Sequence, residues 1–217
     1  MLAEALAAKH LAAPVVLALP RGGVPVAAEI ASALGAPLDI VLVRKIGVPF
    51  QRELAVAAVV DGEVPEVVVN EEVAKLAGTS STYIDRAVKQ ELEEIERRRK
   101  VYLQGRARAP LEGRTVILVD DGIATGASVR AALRALRRKQ PKALILAVPV
   151  APPDTIEDLR KEVDDIVCLR APESFFAIGV HYIDFHQMSD DEVVGILAGR
   201  PGEITPPAPV QGTPPGT

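Results

Sequence analysis

The chain has 217 residues, 48% of them hydrophobic and 25% charged, with a formal net charge of -4. That length suits one domain with its own core, and the acidic balance speaks against a general attraction to nucleic acid or to an anionic membrane. A lone cysteine, Cys168, excludes an internal disulfide and a cysteine zinc cluster.

In chain order, residues 14–20 are apolar but too few to span a membrane, and no cationic segment with a cleavage site precedes them, so a cytoplasmic location is expected. Residues 15–19 read as a buried strand and Pro20-Arg21-Gly22-Gly23 as a turn. A helix is expected over 24–34, with Pro25 in its first turn and Gly35 as its stop. A second strand over 38–43 ends on two cations, Arg44 and Lys45. Residues 54–60 and 64–69 suggest a hairpin around Asp61-Gly62. A long helix over 82–102 repeats Ile84, Val88, Leu92 and Ile95 at helical spacing. Its pairs Glu93–Arg97, Glu94–Arg98 and Glu96–Lys100 are four apart, so the Arg97-Arg98-Arg99-Lys100 run reads as a solvated helix end.

A strand over 115–119 and a helix over 128–138 follow, the helix turning Val129, Ala132, Leu133 and Leu136 inward. Strands over 143–148 and 166–169 flank a helix over 154–163. Ser189 caps a last helix that carries Asp190, Asp191 and Glu192 in its first turn and stops at Gly199. Alternating strands and helices mark an α/β fold with a parallel sheet and flanking helices. Residues 1–199 form its single domain, and the Pro- and Gly-rich residues 200–217 are expected to be a loosely held tail.

The densest signal is Val116-Ile117-Leu118-Val119-Asp120-Asp121-Gly122-Ile123-Ala124-Thr125-Gly126-Ala127-Ser128. Four branched apolar residues form a strand buried on both faces. Two carboxylates then stand at its carboxyl end, where open α/β sheets bind ligands. The small-residue turn opens a helix whose free N–H groups and partial positive charge suit an anion. A sugar phosphate fits: phosphate on the turn, diol or a magnesium ion on the acids. Arg21-Gly22-Gly23 repeats the logic, with backbone N–H groups free to approach a ligand and Arg21 able to grip phosphate oxygens in two places.

This run resembles, along its whole length, the signature of the type I phosphoribosyltransferases, which bind phosphoribosyl pyrophosphate (PRPP). The resemblance implies Mg2+-dependent transfer of a phosphoribosyl group to a nitrogenous acceptor with release of pyrophosphate. Asp120 and Asp121 would hold the ribose hydroxyls, directly or through magnesium. Ala124, Thr125, Gly126, Ala127 and Ser128 would cradle the 5-phosphate. Arg21, Gly22, Gly23, Arg44 and Lys45 would take the pyrophosphate, and a cis peptide is implied between Pro20 and Arg21. The segment after Gly47 would be the family's mobile active-site loop.

A small C-terminal hood, mainly 170–190, is similar to the hood strand of the 6-oxopurine enzymes. It implies that Phe176 stacks on a base, that Tyr182 lies against it, and that Asp184 approaches the magnesium. Two departures argue against a hypoxanthine-guanine enzyme: Ala124 stands where those enzymes have an Asp, and Pro152 where they have a lysine. From about residue 17 to 194 the chain most resembles an uncharacterised branch of predicted phosphoribosyltransferases with Pro-Arg-Gly-Gly and Arg-Lys-Ile-Gly turns. A homodimer is implied. The alternative reading is a PRPP- or nucleotide-sensing regulatory protein that binds without turnover.

Overall fold

Aliphatic and β-branched residues at the centre of the chain form strands that are buried on both sides. A computed structural model describes residues 1–62 and 64–199, so the tail expected over 200–217 lies outside the described residues. Strands β1 (Pro14–Ala18), β2 (Leu38–Ile40), β6 (Thr115–Val119), β7 (Ala143–Val150) and β8 (Asp165–Arg170) form an all-parallel sheet in the order β2-β1-β6-β7-β8.

Alternation along each strand feeds two cores. Val16, Ala18, Ile117 and Val119 face α1 (Leu2–Ala7), α2 (Gly23–Leu34), α4 (Ser81–Leu103) and α7 (Asp190–Ala198). Val15, Leu17, Val116 and Leu118 face α5 (Ala127–Arg137) and Leu159 of α6 (Pro153–Leu159). The chain leaves β1 toward β2 on one side and leaves β6 toward β7 on the other. The carboxyl ends of β1 and β6 are therefore a topological switch point.

One expected strand is two. Residues 38–43 divide into β2, inside the main sheet, and the start of β3 (Val43–Val48), which belongs to a second sheet. Buried carboxylates make the break possible by taking the backbone donors that the ladder gives up. Asp39 accepts from the N–H groups of Ile40 (2.7 Å) and Ala109 (2.9 Å), and Asp61 accepts from Leu42 (2.9 Å). Asp61 also pairs with Arg108. Burial holds the Asp39 carboxyl above its ordinary range, against the opposing pull of its backbone hydrogen bonds.

The second sheet is antiparallel, in the order β3-β4-β5, with β4 (Gln51–Val60) and β5 (Glu66–Val69) forming the hairpin expected around Asp61-Gly62. The segment after Gly47, expected as a loop, is largely strand: β3 turns at Pro49-Phe50 directly into β4, with register shifts around Gly47. Helix α3 (Glu71–Leu76), capped by Asn70, follows β5, and α4 is capped by Ser80. Arg97 and Arg98 both bond Glu94, whose carboxyl they hold down at about 2.

The hood differs from expectation as well. Residues 174–185 contain no strand; Ile178–His181 is a single 3-10 turn. Contacts among its own side chains shape it instead. Phe175 stacks on His181 with ring centroids 5.5 Å apart, and Tyr182 meets Phe185 at 5.2 Å with the rings tilted by 46°. Gly179 admits the Phe185 ring, which a Cβ would meet at 2.8 Å. Ser189 then opens α7 with a capping box completed by Glu192.

Candidate active site

Both glycine turns stand at the switch point, on neighbouring strands in register from Pro14–Thr115 to Ala18–Val119. The Leu19 N–H donates to the Val119 carbonyl at 2.9 Å and carries this pairing to the mouth of the site. In the first turn the Pro20–Arg21 peptide is cis. Gly22 and Gly23 are glycine because of proximity, not because of a left-handed backbone; Gly22 has φ -60. A Cβ on Gly22 would lie 1.9 Å from Asp121 Oδ2, and one on Gly23 would lie 2.7 Å from the Val119 carbonyl oxygen. The Arg-Gly-Gly turn thus rests directly on the acidic pair.

In the second turn, Ile123 is buried and its N–H donates to the Val150 carbonyl at 2.9 Å, which pins the loop from below. Ala124 and Thr125 remain exposed above it. The Thr155 hydroxyl donates to the Ala124 carbonyl at 3.0 Å. Gly126 is the true left-handed position, with φ +73, and it starts α5. Neither α2 nor α5 has a side chain capping its first turn. In α2 the turn satisfies its own donors, for the Gly23 N–H donates to the Leu19 carbonyl and the Val24 N–H to the Arg21 carbonyl, both at 3.1 Å, whereas the leading N–H groups of α5 face the ligand side of the bend.

The acids are poised as a pair. Asp120 accepts the Asp121 N–H at 2.9 Å. Burial, then the neighbouring Asp121 charge, holds the Asp120 carboxyl well above the usual range; burial also raises Asp121. Among the described residues no lysine or arginine lies within ion-pair distance of either. Two adjoining, partly desolvated carboxylates without a cation between them suit a divalent ion, and magnesium binds through one or two carboxylates plus substrate phosphates and water. The third acid expected there is not gathered in: no cluster of three or more His, Cys, Asp or Glu able to share an ion occurs among the described residues, so Asp184 stands apart from Asp120 and Asp121.

Strand alternation separates the two cations that sequence placed together. Arg44 Nε donates to Glu91 Oε2 of α4 at 2.6 Å. Lys45 turns to the opposite face and lines a cavity of about 600 Å³ with Thr125, Ala127, Arg130 and Arg134. From the hood, Ile178 packs over Gly122, and the Tyr182 hydroxyl donates to the Asp121 carbonyl at 2.5 Å. That bond, and the burial that pushes the Tyr182 phenol far above its ordinary range, mark a structural tether. Phe176 is 89% exposed. Cys168 is half-buried, its thiol raised by burial and donating to the Arg170 carbonyl, away from this chemistry.

Sequence reasoning missed Asp190. It stands 3.8 Å from Arg21, and its only sequence signal was a place in the first turn of the last helix.

The family model described as the phosphoribosyl transferase domain matches residues 1–184. The chain belongs to that family. It is 46% identical over 196 residues to "Putative phosphoribosyl transferase Rv0571c" of Mycobacterium tuberculosis strain H37Rv, and equally to "Putative phosphoribosyl transferase MT0597" of strain CDC 1551. The matched region is 90% of this chain and 44% of each relative, so the chain spans less than half the length of these curated relatives. The crystal structure of TT1426 from Thermus thermophilus is 43% identical, with a TM-score of 0.79, over 90% of this chain and 92% of that one. No helix among the described residues is long and apolar enough to cross a membrane.

Proposed function

We propose that the protein transfers a phosphoribosyl group from PRPP to a nitrogenous acceptor, with Mg2+, and releases pyrophosphate. The observation that carries this reading is the contact of the Arg21-Gly22-Gly23 turn with Asp121: it brings two glycine turns and an acid pair to one edge of the sheet, an arrangement that supports a sugar charged at both ends as the ligand.

In this reading, N–H groups from Ala124 to Ser128, with the Thr125 and Ser128 hydroxyls, hold the 5-phosphate. Asp120 and Asp121 hold the ribose 2- and 3-hydroxyls and the metal. When bound, magnesium would neutralise charge on the pyrophosphate and draw both acids into their ionised form. Arg21 and the Gly22 N–H receive charge as the pyrophosphate departs, the Gly23 N–H being held by the Leu19 carbonyl, and Lys45 approaches from the hairpin side. The ribose carbon becomes cationic in the transition state, so the chain contributes position and fixed dipoles rather than a covalent nucleophile. The acceptor enters from the hood side, past Phe176. A cytoplasmic homodimer belongs to the same reading and is supported by the family resemblance.

The test is pyrophosphate release from PRPP, with magnesium, across a panel of bases and amines. Turnover with one acceptor supports the transferase. Tight magnesium-PRPP binding with no turnover on any acceptor would favour the sensing protein instead, a reading to which the exposed, sparsely built hood lends weight.

A further inference from the structure

We propose that Asp190 is a positioning residue for Arg21: its carboxylate, itself fixed by Tyr102, sets where the Arg21 guanidinium stands to meet a pyrophosphate group. The inference rests on the reading of the first turn given above. It concerns a residue that the two signature motifs do not include.

Arginine is long and flexible, and the turn that carries it contributes only backbone around it. Something outside the turn must aim the side chain. Asp190 Oδ1 lies 3.8 Å from Arg21 Nη1, and the same oxygen accepts the Tyr102 hydroxyl at 2.5 Å. Tyr102 is 1% exposed near the end of α4, so packing fixes its ring and the ring fixes the acid. Burial and this bond to Asp190 push the Tyr102 phenol up to about 12, which keeps it a donor throughout the neutral range.

Asp190 is held from its own side as well. It directly follows Ser189, whose capping box with Glu192 sets the start of α7. Its second oxygen lies 3.9 Å from Arg97 Nη2. One carboxylate therefore sits between two guanidiniums, and Glu94 takes up Arg97 more closely, at 2.8 Å, which leaves Arg21 the guanidinium without a tight carboxylate partner. At 3.8 Å the contact with Arg21 is looser than a hydrogen bond. Arg21 is restrained, yet its N–H groups stay free for a ligand.

Asp190→Asn keeps the shape and an acceptor for Tyr102 but removes the charge. Tyr102→Phe keeps the charge but removes the bond. Each variant and the unaltered protein are titrated calorimetrically with magnesium pyrophosphate and, separately, with ribose 5-phosphate, which lacks the pyrophosphate group assigned to Arg21. Asp190→Asn is expected to weaken pyrophosphate about tenfold and Tyr102→Phe about threefold, both with ribose 5-phosphate unchanged.

Loss of a nearby negative charge acting only through space would tighten pyrophosphate, so tighter or unchanged binding in Asp190→Asn overturns the inference. Equal weakening of both ligands also overturns it, since that reports damage to the whole domain. If the unaltered protein binds neither ligand, the PRPP reading falls along with the inference. If it binds both and Asp190→Asn leaves pyrophosphate unweakened, the inference alone falls.

Discussion

The paired turns and the hood meet at the same sheet edge and are held in opposite ways. The turns are fixed by backbone: register between β1 and β6, a buried Ile123, and glycines pressed against carbonyl and carboxylate oxygens. The hood is fixed by a few side chains, chiefly Ile178 on Gly122 and the Tyr182 hydroxyl on the Asp121 carbonyl, while Phe176, Val180 and Ile183 are exposed. A site that reads phosphate and ribose can be rigid and closely specified. A site that reads an acceptor can vary, since little of the core depends on it.

Substitutions that attack the rigid half should do the most damage. Gly23→Ala places a Cβ against the Val119 carbonyl oxygen at 2.7 Å and the Asp120 Cα at 3.0 Å, both backbone atoms that cannot swing aside. Denaturant unfolding should show a loss of about 1–3 kcal/mol, with magnesium-PRPP binding no longer detectable by calorimetry. Native-like stability together with native affinity would show that the turns tolerate separation.

Next comes Asp120→Asn, where stability and binding should move in opposite directions. The folded-state carboxyl is raised above its ordinary 3.8. A raised acid holds its proton more tightly in the folded state, so the contribution of this group to stability is greatest below about 3.8 and is lost as pH climbs through the raised value. Asn removes that loss. Thermal scans from about pH 4 to pH 8 should show a flatter profile, with a neutral-pH Tm a few degrees higher. Affinity for magnesium-PRPP should fall by about 100-fold. A neutral-pH Tm below that of the parent would show that the acid is not repelled in the folded protein.

Smaller effects belong to the hood. Tyr182→Phe deletes the donor to the Asp121 carbonyl and should lower stability by about 1 kcal/mol, with a higher KM for acceptor than for PRPP once an acceptor is found. Phe176→Ala should change stability by less than about 0.5 kcal/mol, because the ring is already exposed. Its magnesium-PRPP affinity should match the parent, and any effect should appear in acceptor KM. If Phe176→Ala instead weakened PRPP strongly, the division between a rigid donor half and a permissive acceptor half would fail.

The donor half was legible because its logic is local. A buried strand, two acids, a small-residue bend and a helix start are consecutive in sequence, and short-range rules place them. The break after Ile40 was not legible, because the carboxylates that permit it draw on donors from Leu42 and Ala109, far along the chain from Asp61 and Asp39. Nor was the division of Arg44 from Lys45. Read as a turn, they point together; as strand residues they must point apart, and Glu91 on a distant helix takes one of them.

The amino-acid order by itself determined the family, the parallel sheet and the residues that line both glycine turns, since hydrophobic period and turn chemistry act between near neighbours. Tertiary structure alone decided that Gly22 touches Asp121, that the hood coils rather than extends, and that Asp190 reaches Arg21. Each of these joins segments far apart in the chain or depends on how side chains fill a shared space, and such contacts exist only once the sheet has brought the ends of its strands together.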